Sequence, residues 1–274
     1  MKPRVILYSM VREHPQILNL ALESHAALEG VTDRWYWDDN DDHQSSALLS
    51  QQGAIVIPGE TEAKPEYVHN EVTHKWNGNL ISRLAKIRNY GIDRFIESSA
   101  DYLFMCDADM VFHPRTVERL IQDDVPINST LCWAKWTPGQ PWLPNVWDRH
   151  PYSFKDENQI FRLKNKGVFE VGGTGTCYLF RRDALKEGID FSPIESLLNV
   201  IWGEDRFIAI KAELCGVPLY VDTAYPSFHV YRPSMLPEAS AWYGAGAPST
   251  YFNQKWLSNG WEDEIRSMLK PKNG

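Results

Sequence analysis

Asp101-Tyr102-Leu103-Phe104-Met105-Cys106-Asp107-Ala108-Asp109-Met110-Val111-Phe112-His113-Pro114 is the stretch whose reading decides the fold. The apolar run Tyr102 to Cys106 ends abruptly in two carboxylates spaced i, i+2, and Pro114 stops any regular continuation. Residues two apart on an extended chain point the same way, so Asp107 and Asp109 can converge on one point beyond the strand end. Two hard oxygen donors at the C-terminal edge of a buried strand suit a divalent cation such as Mg²⁺ or Mn²⁺. That edge is also where open α/β sheets bind ligands. The competing reading is a strand-end turn whose aspartates cap a following helix over Arg115 to Ile121.

Outward from this stretch, composition narrows the classes. A chain of 274 residues with 43% hydrophobic content is long enough for one sizeable α/β unit. A net charge of −8 argues against a mainly electrostatic grip on nucleic acid or anionic membrane. Cys106, Cys132, Cys177 and Cys215 show no Cys-x-x-Cys spacing, so neither a zinc site nor a disulfide framework is indicated. Met1 to Met10 is too short an apolar segment for a secretory leader, and no run of about 18 apolar residues is present. The expectation is a cytoplasmic protein with no membrane span.

Ahead of the central stretch, Val5 to Tyr8 reads as a first buried strand. A helix stripe of Ile17, Leu18, Leu20, Ala21 and Leu22 follows, with Gly30 as its stop. Asp33 to Asp42 is an aromatic strand running into an acidic turn, and Ala54 to Pro58 is a third strand. Residues 59–78 read as an irregular excursion. A helix is expected over Leu80 to Ile96, with Gly91 as a weak point. This alternation is the rhythm of a mostly parallel sheet. Neither Gly-x-Gly-x-x-Gly nor Gly-x-x-x-x-Gly-Lys occurs, so a dinucleotide fold or a P-loop is not supported.

Beyond Ile121 the character changes. Trp133, Trp136, Trp142 and Trp147 alternate with Pro126, Pro138, Pro141, Pro144 and Pro151, which excludes a long helix and predicts strands and loops. Flat Trp rings stack on sugar faces and also fill cores. Val168 to Phe180 reads as two strands around the Gly172-Gly173 turn. At Gly203-Glu204-Asp205, two carboxylates open a helix, either as caps or as a rigidly aimed base. His229 lies in an alternating apolar context, where a buried core histidine is the ordinary reading. A Gly/Ala/Pro-rich segment from Tyr243 to Thr250, a lid or a linker, precedes an amphipathic helix over Trp261 to Leu269.

Taken together, these motifs resemble, over roughly Val5 to His229, a GT-A fold glycosyltransferase of the family 2 type. Met10-Val11-Arg12-Glu13 resembles the loop after that family's first strand, and Trp37-Asp38-Asp39-Asn40 its second-strand acidic turn. Ile87-Arg88-Asn89-Tyr90-Gly91-Ile92 is similar to its Ala-Arg-Asn-x-Gly-Ile helix. Asp107-Ala108-Asp109 stands at its Asp-x-Asp, Gly172-Gly173 at its glycine loop, Gly203-Glu204-Asp205 at its x-Glu-Asp motif and His229 at its C-terminal metal-binding histidine.

The resemblance implies an α/β GT-A fold. A Rossmann-like nucleotide-sugar half (1–121) with a mostly parallel central sheet would be joined to a mixed β acceptor half (122–230), and a C-terminal lid loop and helix (231–274) would follow. It implies transfer of a sugar from a UDP- or GDP-sugar to an acceptor hydroxyl, with Mn²⁺ or Mg²⁺ held by Asp109, Asp107 and His229. Asp38, Asp39, Arg83, Arg88, Asp107, Gly172 and Gly173 would bind the donor. Lys86 is a further candidate for fixed positive charge. Asp205 would be the base of an inverting displacement, with Glu204 holding the acceptor or exchanging roles with it; the same fold also serves a retaining outcome. A glycan, lipid, protein side chain or modified nucleobase all fit as acceptor. Two rivals remain: a haloacid-dehalogenase-like phosphatase, whose Asp-x-Asp-x-Val signature Asp107 to Val111 also satisfies, with Asp107 as nucleophile, and a non-catalytic sugar-binding module.

Overall fold

In a computed structural model of the chain, strand β1 (Val5–Val11) lies between β2 (Asp33–Asp38) and β6 (Tyr102–Asp107), parallel to both. Residues 2–270 are described, apart from 61–63, 65–67, 70, 72–73, 76, 137–138, 150–153, 155, 186–187, 198–202 and 259. Pro138 and Pro151 of the expected motifs, and residues 271–274, therefore lie outside the described residues. The remaining strands are β3 (Ile55–Pro58), β4 (Val68–His69), β5 (His74–Lys75), β7 (Met110–Val111), β8 (Ile127–Asn128), β9 (Thr130–Ala134), β10 (Leu143–Pro144), β11 (Val146–Trp147), β12 (Val168–Val171), β13 (Gly173–Thr174), β14 (Cys177–Arg181) and β15 (Leu219–His229). The helices are α1 (Pro15–Ala26), α2 (His43–Ser50), α3 (Gly78–Glu97), α4 (Thr116–Gln122), α5 (Glu157–Phe161), α6 (Asp205–Leu214), α7 (Leu236–Gly244), α8 (Tyr251–Lys255) and α9 (Trp261–Leu269).

The main sheet runs β10-β9-β15-β8-β14-β6-β1-β2-β3, with β7 and β12 also pairing with β15. Its β6-β1-β2-β3 side is wholly parallel, and its β14 side is mixed. This is the α/β architecture expected from the alternation of apolar runs. Period-two alternation sorts β1 onto both faces: Ile6, Tyr8 and Met10 join Ile87, Ile92 and Phe95 of α3, while Leu7 and Val11 join Leu18 and Leu22 of α1 and Val117 of α4. With both faces covered, the strand ends are what remain open to a ligand.

Helix α3 carries site residues and is held tightly. Asn77 caps it by accepting from the Leu80 amide at 2.9 Å. Gly91 is a point of close approach rather than a weak point. A Cβ there would sit 2.5 Å from the Tyr8 ring, whose hydroxyl donates to the Ile87 carbonyl at 2.8 Å. Helix α2 was not anticipated; Asp42 caps it through the Ser45 amide at 2.8 Å.

The C-terminal helices pack into the core. Trp242, Phe252, Trp261 and Ile265 are buried in the same cluster as the α3 side of the sheet, and Trp142 stacks on Trp256 at 3.8 Å. Most of the tryptophan-rich stretch is likewise interior. Trp133 is fully buried, whereas Trp136 is 39% exposed.

Candidate functional site

Strand β6 delivers Asp107 at its last position, directly beside Met10 of β1. The chain then turns through Ala108-Asp109 into β7, which pairs antiparallel with the end of β15 in the register Val111 to Phe228 and Met110 to His229. The Val230 amide donates to the Asp109 carbonyl at 2.9 Å. That register sets His229 Nε2 3.0 Å from Asp109 Oδ2. The capping alternative for the aspartates does not apply: α4 starts at Thr116 behind Arg115, with no side-chain cap bond.

These residues open into a cavity of about 860 Å³. Its acidic end gathers Glu13, Asp39, Asp107, Asp109, Glu204 and Asp205. At the centre lies Arg88 of α3, almost wholly buried, with its guanidinium carbon 5.1 Å from the centroid of the Phe191 ring. Arg88 Nη2 is 2.8 Å from Asp107, Nε is 3.0 Å from Glu204, and Nη1 is 3.8 Å from Asp205. One cation thus serves three carboxylates, so the cluster carries an excess of negative charge.

The protonation shifts follow from burial first and from that excess second. Burial pushes the Glu204 carboxyl up to about 7, assisted by Asp205 and opposed by Arg88. Asp107 also rises to about 7, through burial and through the charges of Asp109 and Asp205, against the pull of Arg88. Glu13 rises to about 8, by burial and then by Asp109. Burial alone would lower His229, but Asp109 holds it well above the ordinary imidazole value. Likewise Asp205, Asp107 and Glu204 hold Arg88 above its ordinary value against its burial.

Glu204 and Asp205 have different surroundings. The Glu204 side chain is 5% exposed, sits behind Arg88 and makes no capping bond to α6; the Asp205 side chain is 22% exposed. The Tyr178 hydroxyl lies 2.9 Å from Asp205 Oδ1 and also meets the Thr174 carbonyl, so its one proton is shared between the two acceptors. Oδ2 looks onto Gly175, where a Cβ would come within 3.2 Å of it. The missing side chain keeps that oxygen approachable.

The other expected residues divide. Asp39 lines the cavity and is held by Arg83 through contacts of 2.6 and 3.0 Å. Asp38 turns its carboxylate to the Asn40 amide and side chain instead. Lys86 does not line the cavity and pairs with Glu60, which Arg83 also reaches at 3.6 Å. Gly172 and Gly173 do not line the cavity. A Cβ on Gly172 would strike the Asp148–Arg149 backbone at 2.3 Å, and one on Gly173 the Trp147 ring, so they let β11 and β13 close on each other.

Sequence reading missed Glu13, Tyr178, Gly175, Thr176 and Asn145 as members of the site. Thr176 has φ +70°, a costly conformation for a β-branched residue. Its carbonyl accepts from the Asp107 amide at 2.9 Å, and its hydroxyl accepts from Asn145 Nδ2 at 3.1 Å. Glu13 was legible as a neighbour of the β1 end at the same sheet edge; the others sit in apolar or polar runs with no distinguishing spacing.

Asp109 and His229 fit a divalent cation. An oxygen and a nitrogen 3.0 Å apart are spaced as neighbouring ligands of an octahedral ion with bonds of about 2.1 Å. Asp107, expected as a third ligand, is turned onto Arg88. Among the described residues no group of three or more His, Cys, Asp or Glu side chains is arranged to hold a metal ion, so these two are a partial donor set. No helix among them is long and apolar enough to cross a membrane.

No protein-family model and no curated protein matches the chain. Several solved structures do. A197 from STIV aligns at 13% identity over 80% of this chain and 81% of its own, with a TM-score of 0.41. The CMP:2-keto-3-deoxy-manno-octonic acid synthetase complexed with CTP aligns at 14% identity over 89% and 99%, with a TM-score of 0.43. S. aureus TarS aligns at 14% identity over 81% of this chain but only 35% of its own, with a TM-score of 0.45.

Proposed function

We propose that this chain is a divalent-metal-dependent glycosyltransferase, moving a sugar from a nucleoside diphosphate sugar to an acceptor hydroxyl with inversion. The observation that carries the reading is the gathering of Asp107, Asp109, Glu204, Asp205 and His229 from three separate chain segments, with one buried arginine from a fourth, in one cavity. Such a site repels a diphosphate unless a cation is added. Asp109 and His229 would hold Mn²⁺ or Mg²⁺, leaving its other positions for phosphate oxygens and water. When bound, that ion neutralises the charge that develops on the departing diphosphate.

The chain's own side chains do the remainder. Asp205 accepts the proton of the attacking hydroxyl at Oδ2, the oxygen left open by Gly175. Tyr178 fixes Oδ1 and so aims the carboxylate. Arg88 holds Glu204, Asp107 and Asp205 in mutual register. Arg83 fixes Asp39 at the end of β2, where the resemblance places the base of the nucleotide. The phosphatase alternative needs Asp107 to attack a phosphate, yet that carboxylate is engaged by a buried guanidinium.

The test is thermal unfolding of the full chain with UDP, GDP, CDP or TDP, each with and without Mn²⁺. A rise in midpoint for one diphosphate, only with metal, supports the reading and identifies the donor base. Stabilisation by metal alone, with release of phosphate from p-nitrophenyl phosphate, would replace it with the phosphatase.

A further inference from the structure

The cavity is lined by two chemically unlike sets of side chains. Besides the carboxylates, its wall includes Leu143, Val146, Phe154 and Ile160 of the tryptophan-rich stretch, and Met268 and Leu269 of α9. Five large apolar side chains stand exposed among the described residues: Ile55, Ile96, Trp136, Leu214 and Met268. Two of them, Trp136 and Met268, belong to this single cavity. Exposed apolar groups gathered at the mouth of a reactive site mark a surface to be covered by a substrate. Among the described lining residues the cations are arginines and His229, which is paired with Asp109. Arg12 pairs with Asp41, Arg83 with Asp39 and Arg88 with three acids, while Arg206 lies over the Trp147 ring at 4.6 Å. This wall therefore offers little to a phosphorylated or otherwise anionic acceptor. At about 860 Å³ the cavity falls in the upper part of the range of about 300–1,000 Å³ for small-molecule sites, leaving room beside a donor.

We propose that the acceptor is an uncharged amphiphile, a hydroxyl carried on an aliphatic chain. The chain lies along the Leu143–Phe154–Met268 wall and the hydroxyl reaches Asp205. This assignment rests on the transferase reading above. Covering the wall with a hydrocarbon releases water from both, worth about 0.8 kcal/mol or roughly fourfold in affinity per methylene.

The experiment is a titration of the full chain, with Mn²⁺ and UDP or GDP present, by n-alkyl β-D-glucosides from methyl to octyl below their micellar concentrations, followed by Trp fluorescence. The expected result is a dissociation constant that tightens about fourfold per methylene until the wall is covered. Met268→Asp should weaken octyl glucoside at least tenfold and flatten the series. If that variant fails to fold, Met268→Gln should do the same to a smaller extent. A constant independent of chain length, or a chain-length dependence equal in parent and variants, would overturn the proposal in favour of a glycan or a macromolecular acceptor. Titrating the diphosphate in the same samples separates the two layers. Diphosphate binding without an alkyl response removes the amphiphile alone. An alkyl response sensitive to Met268, without diphosphate binding, removes the transferase reading and leaves the apolar subsite standing.

Discussion

His229 Nε2 lies 3.0 Å from Asp109 Oδ2, although 120 residues separate the two in the chain. Neither partner reaches the other without the short antiparallel pairing of β7 with β15. Asp109→Ala and His229→Ala should each abolish the metal-dependent stabilisation by nucleoside diphosphate. For the parent that stabilisation is about 2.7 kcal/mol at a ligand concentration 100 times the dissociation constant. Differential scanning fluorimetry with and without Mn²⁺ reads it. Retention of the full shift in His229→Ala would place the metal elsewhere.

Asp205 and Glu204 are adjacent but should fail differently. Asp205→Asn keeps the hydrogen bond from Tyr178 yet removes the proton acceptor, so kcat should fall by about 10²–10⁴ with diphosphate affinity maintained. Glu204→Gln leaves the cavity-facing carboxylate in place and should act mainly through the order of Arg88, with a smaller loss in kcat. Equal activity of Asp205→Asn and parent in a donor-consumption assay would refute the base assignment.

Arg88 is the only cation within reach of Asp107, Glu204 and Asp205 among the ion pairs described. Replacing it by Met leaves three clustered carboxylates uncompensated. The expected loss is about 3–5 kcal/mol in urea unfolding, in the range for breaking a buried pair. The loss should be larger at pH 8 than at pH 5.5, because the raised values of Asp107 and Glu204, both about 7, mean that these acids are protonated at the lower pH. A loss independent of pH would contradict that account.

His25 supplies a second pH dependence, on the α1 face of the sheet. It is fully buried between α1 and the sheet, with Nε2 3.2 Å from the Met110 carbonyl, and burial lowers its pKa to about 4. Because the folded value is depressed below the unfolded one, the neutral form is favoured in the fold. Its contribution is therefore complete above about pH 6.5 and lost as pH falls from there toward 4. In His25→Phe the slope of unfolding free energy against pH in that window should flatten. An unchanged slope would show that His25 does not titrate with folding.

How far the sequence reached depended on whether a signal was local. Tyr102 to Asp107 reads as a buried strand because an unbroken apolar run ends in charge, and helix α9 was legible from its stripe. Helix α2 was missed because His43–Ser50 carries little apolar periodicity; its signal is the Asp42 cap. The Gly172-Gly173 pair was read as a ligand loop because glycine reports only that something comes close, and here it is Trp147 and the 148–149 backbone. Gly91 shows the same ambiguity, since its lack of a side chain serves the Tyr8 ring. The Arg88 cluster was beyond reach. Its members were named one by one, but their shared guanidinium depends on helix α3 crossing the ends of β6 and α6.

Strand β15 enters the sheet between β8 and β9, with its end beside β7. A growing chain on the ribosome can make the β6-β1-β2-β3 layer and α3 long before residue 229 emerges. The pair that would hold the cation is then still half missing. A product truncated before β15 would carry an acidic pocket without His229 and without the β7 pairing that sets Asp109 beside it.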